Sequence, residues 1–356
     1  MRYIIITLLI FFINATSHAL VIEDVRTYGP QKETADLRIL SSTDIDVFDP
    51  VLTAYSGAFP TVSLEYVLSN TSDIYQEVRD GEKPFDLVMS SAMDLQMKLA
   101  NDGFAKSVSL AETSQGPDWS QWQNKLFGFS LEPIGMVVSK SYFNNIEAPK
   151  SRRDLISFLR ANQHDLRGKI VTYDVRQSGA GFLFATQDAR QSDSYWRMAE
   201  VMGSLTTGLF CCSGEMLDAV NTGEVLLAYN IIGSYAQKRS REQDNLLVIY
   251  PQDYTHMLLR TALVPRGTQN FQAARDFLIF LLNDVGQDFI EKRTDMLSLQ
   301  SEVLNKNRQF KPIRLDTGLL VYLDRLKKQR FLEEWKEALF QRQKRMSLKS
   351  SCQQAR

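Results

Sequence analysis

Three short runs of small polar residues carry the chemistry this sequence can offer: Ser41-Ser42-Thr43-Asp44, Ser90-Ser91 and Ser178-Gly179-Ala180-Gly181. Each places hydroxyls and backbone N–H groups where an apolar run gives way to helical periodicity. Free N–H groups and the positive end of a helix dipole favour an anionic oxygen there, and glycine or alanine lets a ligand approach the backbone. Arg176, beside the third run, can pair with a carboxylate or phosphate. Tyr229-Asn230 can stack on and hydrogen-bond a polar solute. Each feature also has a plainer account: Ser, Thr and Asp commonly cap helices without touching a ligand, a loop arginine is commonly solvated, and a Tyr-Asn pair can simply end a strand.

The motifs of catalysis do not appear. Gly179-Ala180-Gly181-Phe182-Leu183-Phe184 begins like a dinucleotide fingerprint but lacks its third Gly or Ala. There is no GxxxxGK[ST], HExxH or GxSxG, and no Ser, His and acid arrangement can be assigned. Of three His, His18 lies in the leader, leaving His164 and His256, too few for His-rich metal or triad chemistry. The adjacent Cys211 and Cys212 have no CxxC spacing and no nearby His, and are read as two small buried residues, with a disulfide permitted but not required. No catalytic residue, cofactor or metal site is therefore expected.

The elements that must position the loops are strands alternating with helices. Leu37-Arg38-Ile39-Leu40 reads as a buried strand, and Pro50 suits the first turn of a helix through Val51, Leu52, Tyr55 and Phe59. Val62, Leu64 and Tyr66 alternate as a second strand. A helix around Ile74 and Val78 then leads to the strand Phe85 to Met89 and a helix through Leu95 and Leu99. This rhythm predicts a mainly parallel sheet covered on both faces. It restarts with strand Lys169 to Tyr173, helix Gly181 to Ala189, a helix through Leu217 and Val220, and strand Val225 to Tyr229. The apolar strands Met136 to Val138, preceded by Glu132-Pro133, and Leu258 to Val264, ending at Pro265, cross between the two halves as a hinge. The expected organisation is lobe I over 36–132 and 260–310, lobe II over 133–259, and a helical extension with a basic tail over 311–356. In that extension Leu319, Leu320, Tyr322, Leu323, Leu326, Phe331, Trp335 and Leu339 mark helices wrapped on the surface.

Arg2, the apolar run Tyr3 to Ile13 and Ser17-His18-Ala19 read as a signal peptide over 1–19, cut after Ala19. The run is about half the length of a membrane span. With no Cys at the cut there is no lipid anchor, and the mature chain should float free in a periplasm. Removing residues 1–19 takes away Arg2 and leaves 40 basic against 42 acidic residues, a balance that argues against nucleic acid. The chain of 356 residues, 44% of them apolar, exceeds what one core usually holds. The tail 341–356 carries Arg342, Lys344, Arg345, Lys349 and Arg356 and no acid, as a solvated segment does.

From Leu37 to Ile290 the chain resembles the type II periplasmic binding proteins of ATP-driven importers, in the cluster with ferric-ion, phosphoglycerate and hexose-phosphate binders. The resemblance rests on the order of Leu37 to Asp44, Pro84-Phe85-Asp86-Leu87-Val88 with Ser90-Ser91, the Ser178-Gly179-Ala180 helix start, Gly223-Glu224-Val225 leading to Tyr229-Asn230, and Ala273 to Gln287. It implies two α/β lobes joined by two crossing strands, a hinged closure on the solute, and delivery to an ABC permease in the inner membrane. Ferric binders bring a Tyr-Tyr pair to the metal where this chain has Tyr229-Asn230, and a Glu where it has Ser90-Ser91, which leaves a ferric ion underligated.

The expectation is thus a monomeric, non-enzymatic binder of a small anionic solute, a phosphorylated sugar or glycerate-type acid, held by the loops named above. A sensor that reports the same bound state to a membrane histidine kinase, and a ferric binder with unusual ligands, are the alternatives. The segment Gly318 to Asp324 looks like extensions in kinase-associated members. An exported hydrolase would need a nucleophile with a base in reach, and none is visible.

Overall fold

The computed structural model describes residues 20–81, 84–110 and 116–340. The signal peptide expected over 1–19, Cys352 and the tail 341–356 lie outside the described residues. Lobe I opens with strands β1 (Asp24–Tyr28) and β2 (Leu37–Ser41), helix α1 (Ile45–Ala58), β3 (Leu64–Leu68), α2 (Thr71–Asp80), β4 (Leu87–Ser90) and α3 (Met93–Asn101). The short β5 (Gln121–Trp122) precedes β6 (Leu126–Ser139), which carries the chain into lobe II. There α4 (Lys140–Phe143), α5 (Arg152–Ala161) and α6 (Gln163–Leu166) lead to β7 (Ile170–Tyr173), α7 (Gly179–Gln191), α8 (Ser194–Ser204), β8 (Gly208–Phe210) and α9 (Ser213–Asn221). Then come β9 (Leu227–Ile232), α10 (Gly233–Glu242), β10 (Leu246–Ile249) and β11 (Thr255–Leu263), which returns to lobe I. Helices α11 (Phe271–Leu282), α12 (Asp284–Arg293) and α13 (Glu302–Lys306), strand β12 (Phe310–Pro312), a 3-10 turn Thr317–Leu323 and α14 (Arg325–Leu339) complete the chain.

The strands run in the order β1-β3-β2-β4-β11-β6-β9-β7-β8. β2 pairs in parallel with β3 and β4, and Ser41 lies opposite both Leu68 and Met89. The carboxyl ends of three strands are therefore level, and the loops that follow them share one edge. In lobe II β7 pairs in parallel with β8, Tyr173 opposite Phe210, which aligns two more loops. The expected crossing strands are present but longer than their apolar cores suggested: β6 and β11 pair antiparallel from Met257↔Pro133 to Ala262↔Phe127. Pro133, with no N–H to donate, sits where β6 changes lobes, a place where a missing ladder bond is tolerated.

The C-terminal extension is not merely a surface wrap. Ile313, Leu315 and Leu319 enter the larger core, which runs through lobe I, the crossing strands and the adjoining part of lobe II, whereas Phe331, Trp335, Ala338 and Leu339 enter a second core inside lobe II. Each buried large apolar side chain is worth roughly 1.5–3 kcal/mol. The Thr317–Leu323 turn packs on α3 of lobe I and α14 on α8 of lobe II, so the extension bridges the lobes. Gly203 of α8 makes this possible: a Cβ there would lie 2.2 Å from the Ala338 carbonyl oxygen and 2.8 Å from Leu339 Cα. Gly203→Val is accordingly expected to lever α14 off lobe II. Limited proteolysis should then cleave within 325–339, and a protected α14 would refute this account.

Candidate functional site

The level strand ends of the two lobes face one another across a cleft of ≈ 940 Å³. The N-termini of α1, α2, α7 and α9 open onto it through Asp44, Thr71, Ser178 and Ser213. Of the residues expected at the solute, Ser42, Asp44, Ser91, Arg176, Ser178 and Ala180 line it.

The other expected residues brace these loops. Ser41 Oγ accepts from the Tyr66 hydroxyl (2.7 Å) and the Thr43 N–H (3.1 Å), Ser90 Oγ accepts from Ala92 N–H (3.1 Å), and Thr43 Oγ1 accepts from Arg260 (2.5 Å). Gly179 lies at the seam, its N–H donating to Thr71 Oγ1 of lobe I at 3.1 Å. Tyr229 and Asn230 point away from the cleft, for a backbone reason. β9 carries a bulge opposite Gly135 and Met136, with Asn230 at φ 66°, so consecutive side chains turn to the same side. Both reach Asp188 inside lobe II, Tyr229 by its hydroxyl (2.7 Å) and Asn230 by Nδ2 (3.1 Å). Arg176 is already held: Nε and Nη2 donate to the Asp174 carboxylate at 2.8 and 2.6 Å, and its guanidinium lies over the Trp335 and Phe340 rings.

Sequence reasoning missed Glu23, Ser69 to Asp73, Gln177, Ser213 to Glu215, Asp218, Tyr173 and Tyr235, all of which line the cleft. The rule that singled out Ser41 to Asp44, a polar run after a strand and before a helix, applies equally to Ser69-Asn70-Thr71-Ser72, where Asn70 Oδ1 caps Ser72 N–H and Asp73 N–H. Cys211 and Cys212 are also in the wall, joined to each other by a disulfide, Cys211 exposed and Cys212 half-buried rather than both buried as expected.

The cleft is acidic. Glu23 and Asp44 meet solvent along the cleft but are enclosed by its walls. Loss of hydration raises both carboxyls above their ordinary values, and for Glu23 the charges of Asp44, Asp73 and Glu215 raise it further. The lobes meet through Ser72 Oγ donating to Gln177 O (2.7 Å) and Asp44 N–H donating to the Tyr235 hydroxyl (3.2 Å). Beneath them a buried ion pair spans both crossing strands. Arg260 Nε of β11 contacts Glu132 of β6, whose Oε2 accepts the Ser234 N–H of α10 at 3.2 Å, and Arg260 Nη1 reaches Thr43 of lobe I. Removing either charge would strand the other away from water.

Residues 37–293 match the family model of the bacterial extracellular solute-binding proteins. The chain belongs to this family. This solute-binding protein is similar to the substrate binding protein of an ABC transporter from Agrobacterium tumefaciens, at 30% identity and a TM-score of 0.84, over 90% of this chain and 100% of that one. In fold it is also similar to iron-bound HitA from Pseudomonas aeruginosa, at 14% identity and TM-score 0.67, over 85% of this chain and 98% of that one. The same holds for the periplasmic binding protein AfuA from Actinobacillus pleuropneumoniae with fructose-6-phosphate bound, at 13% identity and TM-score 0.67, over 85% and 98%. No curated protein matches the chain. The two-lobed fold is thus the one expected, and the family is one of binding proteins that serve ABC permeases rather than of enzymes. Among the described residues no helix is long and apolar enough to cross a membrane.

Proposed function

We propose that this solute-binding protein captures a small organic cation in the interlobe cleft and presents it to the permease of an ABC importer. One observation carries the reading: Glu23, Asp44, Asp73, Glu215 and Asp218 line the cleft, and among the described lining residues the one Lys or Arg is Arg176, which Asp174 already holds. Arg239 pairs with Asp218 at 3.1 Å, and Arg260 beneath the cleft is tied to Glu132, so the carboxylates still outnumber the cations around them. Each helix N-terminus contributes about half a positive charge, too little to offset the full carboxylate charges around it. The Glu23 carboxyl is raised first by loss of hydration and further by the charges of Asp44, Asp73 and Glu215, and a bound ammonium group would offset that added repulsion.

The anionic solute expected from the sequence meets the opposite field. Its donors at the start of α7 are partly engaged too, since Gly179 N–H bonds Thr71 and Gly181 N–H bonds Ser178 Oγ at 3.1 Å. Among the described residues no group of three or more His, Cys, Asp or Glu side chains could hold a metal ion. Separated carboxylates with the Tyr173 and Tyr235 side chains suit an extended solute with more than one ammonium group. The similarity to an ABC transporter's substrate binding protein supports a permease over a sensor kinase as its reader.

Spermidine and putrescine are expected to raise the Tm, with about 2.7 kcal/mol gained at a hundredfold excess over Kd, and 3-phosphoglycerate and glucose 6-phosphate are not. Phosphates that stabilise while polyamines leave the Tm unchanged would overturn the reading. The pH dependence has a fixed sign. Because the Glu23 and Asp44 carboxyls are raised, they protonate at higher pH than free carboxylates, so polyamine affinity falls as pH falls through their values. The same protonation relieves repulsion in the protein without polyamine, so these two groups add stability over the same window. A calorimetric titration whose affinity rises toward acid pH would contradict the assignment.

A further inference from the structure

The Cys211–Cys212 disulfide occupies the cleft wall. It stands between the carboxyl end of β8 and the first residue of α9, where Cys212 is the N-cap. Ser213, next in the chain, shares a short hydrogen bond with the Tyr173 hydroxyl, and Glu215 follows in the first turn of α9. Most of the surrounding lining is carboxylates, hydroxyls and amides. Two joined sulfurs bring neither charge nor N–H or O–H donor, so they form a compact, polarisable patch of the kind that packs against methylenes or a ring face.

We propose that this vicinal disulfide is a solute-contacting surface and that its reduction weakens capture, so that the affinity of the cleft depends on redox state. The inference rests on the interlobe cleft being the solute site, but not on the charge of the solute. Two effects act together. The bond ties Cys211 to the cap of α9 and so fixes the approach of Ser213 and Glu215 to the cleft. Once broken, it leaves two independent thiols in place of one apolar patch. Exposed Cys211 is the sulfur that a reductant can reach. A thiolate of an external dithiol attacks its Sγ, the Cys211–Cys212 bond breaks, and Cys212 leaves as a thiolate that takes up a proton. The second thiol of the reductant then displaces Cys211, which is protonated in turn, and the reductant departs as its own disulfide.

The test follows dithiothreitol reduction of the full exported chain by iodoacetamide labelling and mass spectrometry, alone and with spermidine, 3-phosphoglycerate or glucose. Each probe is used at a concentration that saturates its own Tm shift. A probe that stabilises the protein is expected to slow reduction of this bond about tenfold, and to bind the C211S/C212S variant about tenfold more weakly. An unchanged reduction rate with a stabilising probe, or a periplasmic protein isolated with both thiols free, would overturn the proposal. Should only 3-phosphoglycerate or glucose stabilise and protect, the cation reading falls and the disulfide proposal stands. If spermidine stabilises without protecting, the reverse holds, and if no probe moves the Tm, both fall.

Discussion

Replacing Asp188 by alanine is expected to cost the fold about 3–5 kcal/mol, measured as a lower urea midpoint at unchanged slope. Asp188 on α7 is fully buried and collects donors from elements far apart in the chain. The Tyr229 hydroxyl (2.7 Å) and Asn230 Nδ2 (3.1 Å) come from β9, the Tyr254 hydroxyl (3.0 Å) from the approach to β11, and Arg152 Nη2 of α5 lies 2.9 Å away. Burial alone would raise this carboxyl, but the Arg152 guanidinium and the His256 ring hold it well below the usual carboxylate range. The stability it contributes is therefore present above the unfolded carboxyl value and lost as pH falls through the lower folded one. In the alanine variant the Arg152 guanidinium, itself buried, keeps only Asp253 as an ionic partner, at 3.4 Å. A loss under about 1 kcal/mol would mean that Asp253 takes over the charge and that Asp188 is not the keystone of lobe II.

Asp94→Asn should act in the opposite direction. Asp94 lies in the first turn of α3, fully buried, and loss of hydration raises its carboxyl to about 7, against weaker lowering by the Leu95 N–H and the Lys328 charge of α14. A folded value above the unfolded one means that the folded chain holds this proton more tightly. Stability then declines as pH rises between roughly 4 and 7, and the full cost, about 2–4 kcal/mol, persists above that window. Asparagine keeps the shape without the charge, so the variant should lose that slope and be more stable than the parent at pH 8, with little difference at pH 4. Equal midpoints at pH 8 would show that Asp94 keeps its charge at no cost in the fold.

Much of the scaffold was legible because local patterns coincide with tertiary needs. Leu37 to Leu40, the strand before Ser90-Ser91 and the helix that starts at Ser178 each read correctly, since strand period, small-residue loop and helical period follow one another in the chain. β6 was read only at Met136 to Val138, because Gly128, Glu132, Pro133 and Gly135 interrupt its apolar run. Those residues serve the crossing between lobes, which no local rule anticipates. The loops at Ser42, Ser91 and Ser178 were found, but the charge of the cleft was not. Its acids come from Glu23, Asp73 and the α9 pair Glu215 and Asp218, in three separate segments, and each alone resembles an ordinary surface or helix acid. Asn230 misled for a related reason: a single residue at positive φ reverses the direction of a side chain without leaving a mark in composition.

The extension that bridges the lobes also orders events in time. Synthesis delivers a chain from its N-terminus, and here Ile313 to Leu319, followed by Phe331 to Leu339, are the last residues to join the two cores. Each core is therefore complete only once residues 313–339 are available. In a member of this extracellular family, the segments that form the sheet are thus made before the residues that complete its cores.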